Sequence, residues 1–368
     1  MLRDALTQPR RVLMTLDAVG GVWRYSIDLA RALERVGVEC VLVGCGPEPN
    51  DAQRQECRAQ LLWTPLPLDW MVEEAAALGD VGGTLLRIAR ETEADLLHLN
   101  LPSQAAGMSD DIPVIVAAHS CVATWWAAVK GTRLPPHWHW QKQLTARGFA
   151  RADAVVVPSC SHGDAVMRLY GLDRAPCVVP NAVEPSGMQA KEPLILAAGR
   201  WWDEAKDART LDTAAARTRW PIVLAGPLAG PKGAGTSLQH ARSAGSLPAE
   251  AVRAKMARAA IFVSCSIYEP FGLAVLEAAA SGAALVLSDI PTFRELWEEA
   301  ALFAAPRDAE GFARLMNRLS EDDGLRESLA KRAWLRALDF LPARQAKCVC
   351  SVYQTALRAH PRAIAMAR

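Results

Sequence analysis

Tyr268-Glu269-Pro270-Phe271-Gly272-Leu273-Ala274-Val275-Leu276-Glu277-Ala278-Ala279-Ala280-Ser281-Gly282 is the stretch on which the reading of this chain turns. It leaves an apolar run, Ala260-Ile261-Phe262-Val263, turns through Pro270 and Gly272, and enters a segment of strong helix formers. The pattern predicts a strand, a loop and a helix start. Unpaired N–H groups and the positive end of the macrodipole at such a start suit a diphosphate, and Gly272 lets the backbone approach closely. Glu269 falls in the loop and Glu277 about a turn and a half into the helix, so the two carboxylates can address opposite ends of one ligand. A hydroxyl-rich molecule with a phosphate in its middle fits that spacing. Taken alone, two glutamates eight apart are also what a packed helix with solvated charges looks like.

Outward from this stretch, short apolar runs alternate with helical patterns, the signature of β-α-β units and parallel sheets. Val12-Leu13-Met14, Cys40-Val41-Leu42-Val43, Leu96-Leu97-His98-Leu99, Val114-Ile115-Val116 and Ala154-Val155-Val156-Val157 read as strands of one sheet. Leu194-Ile195-Leu196, Ile222-Val223-Leu224-Ala225, Ala260-Ile261-Phe262-Val263 and Ala284-Leu285-Val286-Leu287 read as strands of another. The breaker-rich run from Val183 to Pro193 reads as the linker between them. The fold class expected is α/β, with two Rossmann-like domains facing each other across a cleft.

Length and composition agree. The 368 residues suit two domains, and 51% hydrophobic residues supply ample core. A net charge of +1 gives no strong global attraction to nucleic acid. Nine cysteines, an odd number with no CxxC pair, suit reduced thiols in a cytoplasm better than disulfides or a zinc site. The first eleven residues hold no signal-peptide core, and no run approaches the roughly 18 apolar residues that span a bilayer. A cytoplasmic protein is expected, with peripheral contact at the inner membrane face left open. Gly44-Cys45-Gly46 lacks the third glycine of a dinucleotide fingerprint, and Gly230 and Gly235 frame a P-loop spacing in which Thr236 replaces the lysine.

The long stretch resembles the E-P-F-G-x-x-x-x-E-A-x-A-x-G signature of retaining glycosyltransferases of the GT-B fold, family 4, also called glycosyltransferase group 1. Four more elements extend that resemblance over nearly the whole chain. They are Val12-Leu13-Met14-Thr15 with Gly20-Gly21-Val22-Trp23-Arg24-Tyr25, the strand Pro113-Val114-Ile115-Val116-Ala117-Ala118-His119, Val178-Val179-Pro180-Asn181, and Leu194-Ile195-Leu196-Ala197-Ala198-Gly199-Arg200 with Lys206. The resemblance implies an acceptor-side domain over 1–185, a donor domain over 191–342, and a C-terminal helix in 343–368 that crosses back to the first domain.

By the same resemblance, Arg200 and Lys206 bind the donor diphosphate, Glu269 faces the donor sugar, and His119 supports the sugar or the transition state. Glu277 grips the ribose, and the backbone at Gly20, Gly21, Phe271, Gly272 and Leu273 meets phosphate or sugar. Asp207 stands where relatives often carry Asn or Gly. Trp125, Trp126 and Trp138 are acceptor candidates because aromatic faces stack on sugars, and core packing explains them equally well. No Asp-x-Asp occurs, which favours protein cations over a metal at the diphosphate. No metal and no cofactor are expected; a nucleotide-diphosphate sugar, by preference a UDP-sugar, is the co-substrate. The acceptor is a sugar, a lipid-linked sugar or a small molecule. The alternatives are a nucleotide-sugar epimerase of the same fold and a non-catalytic nucleotide-sugar binding protein. Base contacts are expected from a loop near Arg242 to Gly245.

Overall fold

The computed structural model describes residues 8–230 and 233–360. Part of the N-terminal stretch examined for a signal core, two residues of the loop with P-loop spacing and the end of the 343–368 segment lie outside the described residues. The strands β1 (Arg11–Leu16), β2 (Glu39–Gly44), β3 (Gln60–Trp63), β4 (Leu96–Leu99), β5 (Val114–Ala117), β6 (Ala154–Val157) and β7 (Cys177–Val178) form one sheet, in the order β3-β2-β1-β4-β5-β6-β7. The strands β8 (Glu192–Ala198), β9 (Ile222–Ala225), β10 (Arg242–Gly245), β11 (Ala259–Ser264), β12 (Ala284–Ser288) and β13 (Ala301–Ala304) form a second, in the order β10-β9-β8-β11-β12-β13. All the pairings are parallel, with Val12 beside Cys40 and Leu96, and Ile261 beside Ile195 and Ala284.

Helices α1 (Gly21–Glu34), α2 (Asp51–Glu56), α3 (Val81–Glu91), α4 (Val122–Val129), α5 (His139–Arg151) and α6 (Cys160–Tyr170) connect the first sheet. The second carries α7 (Ala208–Ala215), α8 (Ala249–Arg258), α9 (Leu273–Ala280), α10 (Pro291–Trp297), α11 (Ala309–Glu321) and α12 (Asp323–Ala337), and α13 (Pro342–Ala359) follows. The chain divides into two compact units. One runs to Asn181 and takes the chain back from Pro342; the other is Ala182–Leu341. Asp80, Ser159, Asp207, Asp308 and Asp322 cap α3, α6, α7, α11 and α12 by accepting a backbone N–H, each worth about 1 kcal/mol. Helices α1 and α9 begin on Gly20 and Gly272 with no side-chain cap.

The nine strands legible in the sequence are all interior, and the four that were not, β3, β7, β10 and β13, are the edges of the two sheets. An interior strand of a parallel sheet is covered on both faces and reads as a continuous apolar run, as β12 does with all five residues buried. An edge needs no such run. β10 is Arg242-Ser243-Ala244-Gly245, so the stretch expected as a base-binding loop is an edge strand paired with β9.

The breaker-rich linker is also tied down rather than loose. Val183 N–H donates to Phe340 O at 3.0 Å, Ser186 and Ser281 hydroxyls meet at 3.1 Å, and Lys191 Nζ donates to Ala257 O and Ser281 O at 2.8 and 2.6 Å. Helix α13 packs on α1 and buries Ala346, Val349, Val352, Tyr353 and Ala356 in the core of the first unit. Each large apolar side chain so covered stabilises that core by about 1.5–3 kcal/mol.

Candidate functional site

In each sheet the strand order reverses once, between β1 and β4 in the first and between β8 and β11 in the second. Ligands of open parallel sheets bind beyond the carboxyl ends of the strands at such reversals. The residues singled out from sequence follow β1 and β5 in the first unit and β8 and β11 in the second.

In the second unit the loop after β8 is built on close backbone packing. Gly226, at φ +122°, lies so near Gly199 that a Cβ on it would come within 1.9 Å of the Gly199 carbonyl oxygen. Trp201 is buried beneath this loop and donates from Nε1 to Ala225 O at 3.0 Å. Trp202 lies against Gly230 and under the Arg200 guanidinium, 5.4 Å from its ring centroid. Arg200 keeps 39% of its side chain exposed and sits 3.4 Å from Asp203. Lys206 Nζ is 2.5 Å from Glu269 Oε1, with 18% and 14% of the two side chains exposed. Both cations expected at the diphosphate therefore have a carboxylate partner.

Glu269 is held from a second side. Ser266 donates to its Oε1 at 3.1 Å, and Ser264 donates to Ser266 at 3.1 Å. Asp207 adopts the left-handed region at φ 49° and its Oδ1 accepts from Thr210 N at 3.3 Å. Gly and Asn adopt that backbone most readily, and here the Asp207 carboxylate serves as the cap of α7.

The turn from Pro270 into α9 requires its glycine. Gly272 has φ +89°, and a Cβ there would lie 2.7 Å from Phe293 Cε1. Val275 and Leu276 N–H groups return to Gly272 O at 3.0 and 3.2 Å, which leaves Leu273 and Ala274 at the uncapped helix start. Phe271 buries its side chain edge-on against Phe340, centroids 5.7 Å apart, so only its main chain can serve a ligand. Glu277 lies on α9, half-buried, one turn in from that start.

In the first unit Gly20 is extended, at φ −151°, and Gly21 is the first residue of α1. Neither adopts a positive φ. A Cβ on Gly21 would meet nothing within 4 Å; the backbone is simply open. His119 follows β5, with Nε2 2.8 Å from Asn100 Oδ1 and its ring edge-on to Tyr25 at 4.4 Å. Burial, then His98 and His162, push its pKa down to about 3, so the ring is neutral at pH 7.

Trp125 and Trp126 lie half-buried on α4 with centroids 6.2 Å apart, and Lys130 Nζ stands 5.8 and 5.9 Å from the two rings. Trp138 lies beside His137 at 5.2 Å. None of the three belongs to a hydrophobic core cluster. Asn100 and Ser266 escaped the reading of the sequence because neither sits in a recognisable motif. The available signal was position: a polar residue one or two places beyond a buried strand, at its carboxyl end.

Among the described residues no group of three His, Cys, Asp or Glu side chains is placed to hold a metal ion, and no helix is long and apolar enough to cross a membrane. The family model described as Glycosyltransferase Family 4 matches residues 19–186, and that described as Glycosyl transferases group 1 matches residues 184–336. O-antigen chain mannosyltransferase B of Escherichia coli is 28% identical over 156 residues, 42% of this chain and 35% of that protein. The match thus spans about a third of that relative's length. Sucrose-phosphate synthase from Thermosynechococcus elongatus superposes with a TM-score of 0.76 at 19% identity, covering 98% of this chain and 100% of the other. The Anabaena protein HepE, crystallised with UDP and glucose, gives a TM-score of 0.71 at 16% identity over 93% of this chain and 99% of that one. These likenesses show the GT-B fold.

Proposed function

Since this chain belongs to glycosyltransferase family 4, the group 1 glycosyltransferases, we propose that it is a retaining, metal-independent enzyme that moves a sugar from a UDP-sugar to an acceptor hydroxyl. The observation that carries this is the cluster at the second reversal, where Lys206, Ser266 and Glu269 meet beside Arg200 and the uncapped start of α9. In this reading Ala182–Leu341 is the donor unit. Arg200 and Lys206 neutralise the diphosphate as it leaves, the first by its planar fork and the second as a point charge. Main-chain groups of Phe271, Gly272 and Leu273 contact phosphate or sugar, and Glu277 accepts from the ribose hydroxyls. Glu269 stabilises positive charge developing at the anomeric carbon. The enzyme needs no cofactor.

The first unit supplies the acceptor side, with the open Gly20-Gly21 backbone for phosphate, His119 for the donor sugar and the half-exposed tryptophans for a sugar-bearing acceptor. The preference for UDP draws support from the UDP-bound HepE structure. Incubation with isotope-labelled UDP-sugars and a panel of sugar, lipid-linked and small-molecule acceptors tests the reading. Transfer, or slow hydrolysis, with retained anomeric configuration is expected. Isomerised nucleotide sugar, or binding without conversion, would refute it.

A further inference from the structure

Beneath His119 lies a buried polar string that the donor reading leaves unused. Asn100 follows β4, is 6% exposed, and donates its backbone N–H to Thr15 Oγ1 at 2.9 Å. Its Nδ2 lies 2.7 Å from the Thr15 carbonyl oxygen and 3.0 Å from Ser26 Oγ. A backbone carbonyl can only accept, so the NH₂ end of the amide is fixed toward Thr15. The Thr15 hydroxyl is itself oriented, because it donates to Gln104 Oε1 at 2.7 Å. What remains to face His119 Nε2, at 2.8 Å, is the amide oxygen Oδ1. An amide oxygen can only accept, so Nε2 must carry a hydrogen.

The rest of the surroundings fix the ring and its charge. Tyr25 from α1 packs edge-on against it, and no carboxylate is among the groups acting on it; the titratable neighbours are Tyr25, His98 on β4 and His162 on α6. His98 Nδ1 is bound to the Tyr353 hydroxyl at 2.7 Å and its Nε2 lies 3.4 Å from the Tyr25 hydroxyl, so His98 joins the same buried string, with Asn100 also acting on it. We propose that Asn100 is a positioning residue that holds His119 as the neutral Nε2–H tautomer, so that Nδ1 presents a lone pair to a substrate hydroxyl. Nδ1 has no hydrogen-bond partner among the described residues. His119 then accepts a hydrogen bond at Nδ1, while its one ring proton stays on Nε2, held by Asn100. The tautomer stands on the geometry alone, whereas the hydroxyl rests on the transferase reading above.

Long-range ¹H–¹⁵N NMR on the full chain labelled at histidine reads the tautomer directly, with His119→Gln to assign the ring. A protonated Nε2 and a pyridine-like Nδ1 at pH 7 are expected; a protonated Nδ1 or an imidazolium would overturn the proposal. In Asn100→Asp the charge beside the ring should raise the pH at which His119 takes its second proton by about one unit or more. An unchanged titration would show that residue 100 does not hold the ring. If that variant does not fold, the wild-type spectrum still decides. In Asn100→Ala, which removes the acceptor, kcat should fall at least about tenfold while KM for the donor changes little, as expected when an oriented group acts mainly in the transition state. An unchanged kcat would remove the functional part. A chain that transfers no sugar but shows the Nε2–H ring refutes the transferase reading and leaves the tautomer standing.

Discussion

Glu269→Gln tests the donor site where its charges meet. At an effective dielectric of about 20, unit charges at the observed 2.5 Å separation of Lys206 and Glu269 attract by about 6–7 kcal/mol. Lost solvation offsets most of this, and a charge-assisted contact at this burial is worth about 1.5–3 kcal/mol net. Glutamine keeps the shape and can still accept from Ser266, so the stability lost should lie at the lower end, lowering Tm by about 2–6 °C. The effect on ligand binding should run the other way. A diphosphate that recruits Lys206 competes with Glu269 for the same ammonium, and the variant removes the competitor. Affinity for UDP should hold or rise by up to about tenfold, equivalent to about 1.4 kcal/mol. Meanwhile kcat should fall by about 100- to 1000-fold, because the proposed role of that charge is to face the anomeric carbon. Calorimetry with UDP and initial-rate kinetics on one preparation read both. A UDP affinity that drops tenfold or more while kcat is unchanged would refute the assignment of both residues.

Arg200→Ala and Lys206→Ala should each weaken UDP binding by roughly ten- to a hundredfold, the loss of one charge-assisted contact; unchanged affinity in both removes the diphosphate assignment. Activity should survive excess EDTA, and loss reversed by Mg²⁺ or Mn²⁺ would contradict metal independence. Gly272→Ala forces a Cβ into a left-handed turn against Phe293, which should destabilise by about 1–3 kcal/mol and abolish turnover; a melting temperature equal to wild type contradicts the close approach. Burial holds His98 down near 4, so the stability tied to its neutral form is complete above about pH 6.5, the unfolded value, and is lost as pH falls toward 4. Urea unfolding of wild type and His98→Gln at pH 7, 6, 5 and 4 should give a shallower acid loss for the variant, and parallel curves would count against it.

The sequence revealed what both faces of a sheet impose and concealed what only position imposes. Interior strands such as β5 and β12 announce themselves because cover on both faces favours a nearly continuous apolar run. Edge strands such as Arg242–Gly245 carry no such demand. At the site, Glu269, Gly272 and Lys206 were legible because a loop that turns sharply before a helix restricts its residues locally. Ser266 is a local partner only three residues before Glu269 that no motif marks, whereas Asn100 acts across space, reaching Thr15 over 85 positions. The lysine–glutamate pair was invisible for the same reason, since each residue had been read as waiting for a ligand rather than for the other.

The return of α13 into the first unit bears on how the chain is made. The hydrogen bond from Tyr353 to His98 spans 255 positions, and the core shared with α1 lacks Val349, Tyr353 and Ala356 until the last helix has been synthesised. Ala182–Leu341 is contiguous and meets no such delay. During translation, at about 5–20 residues per second, the second unit can close while the first still exposes the face of α1 that α13 will cover. Closure of the first unit thus waits on α13, although most of that unit is made before Ala182–Leu341.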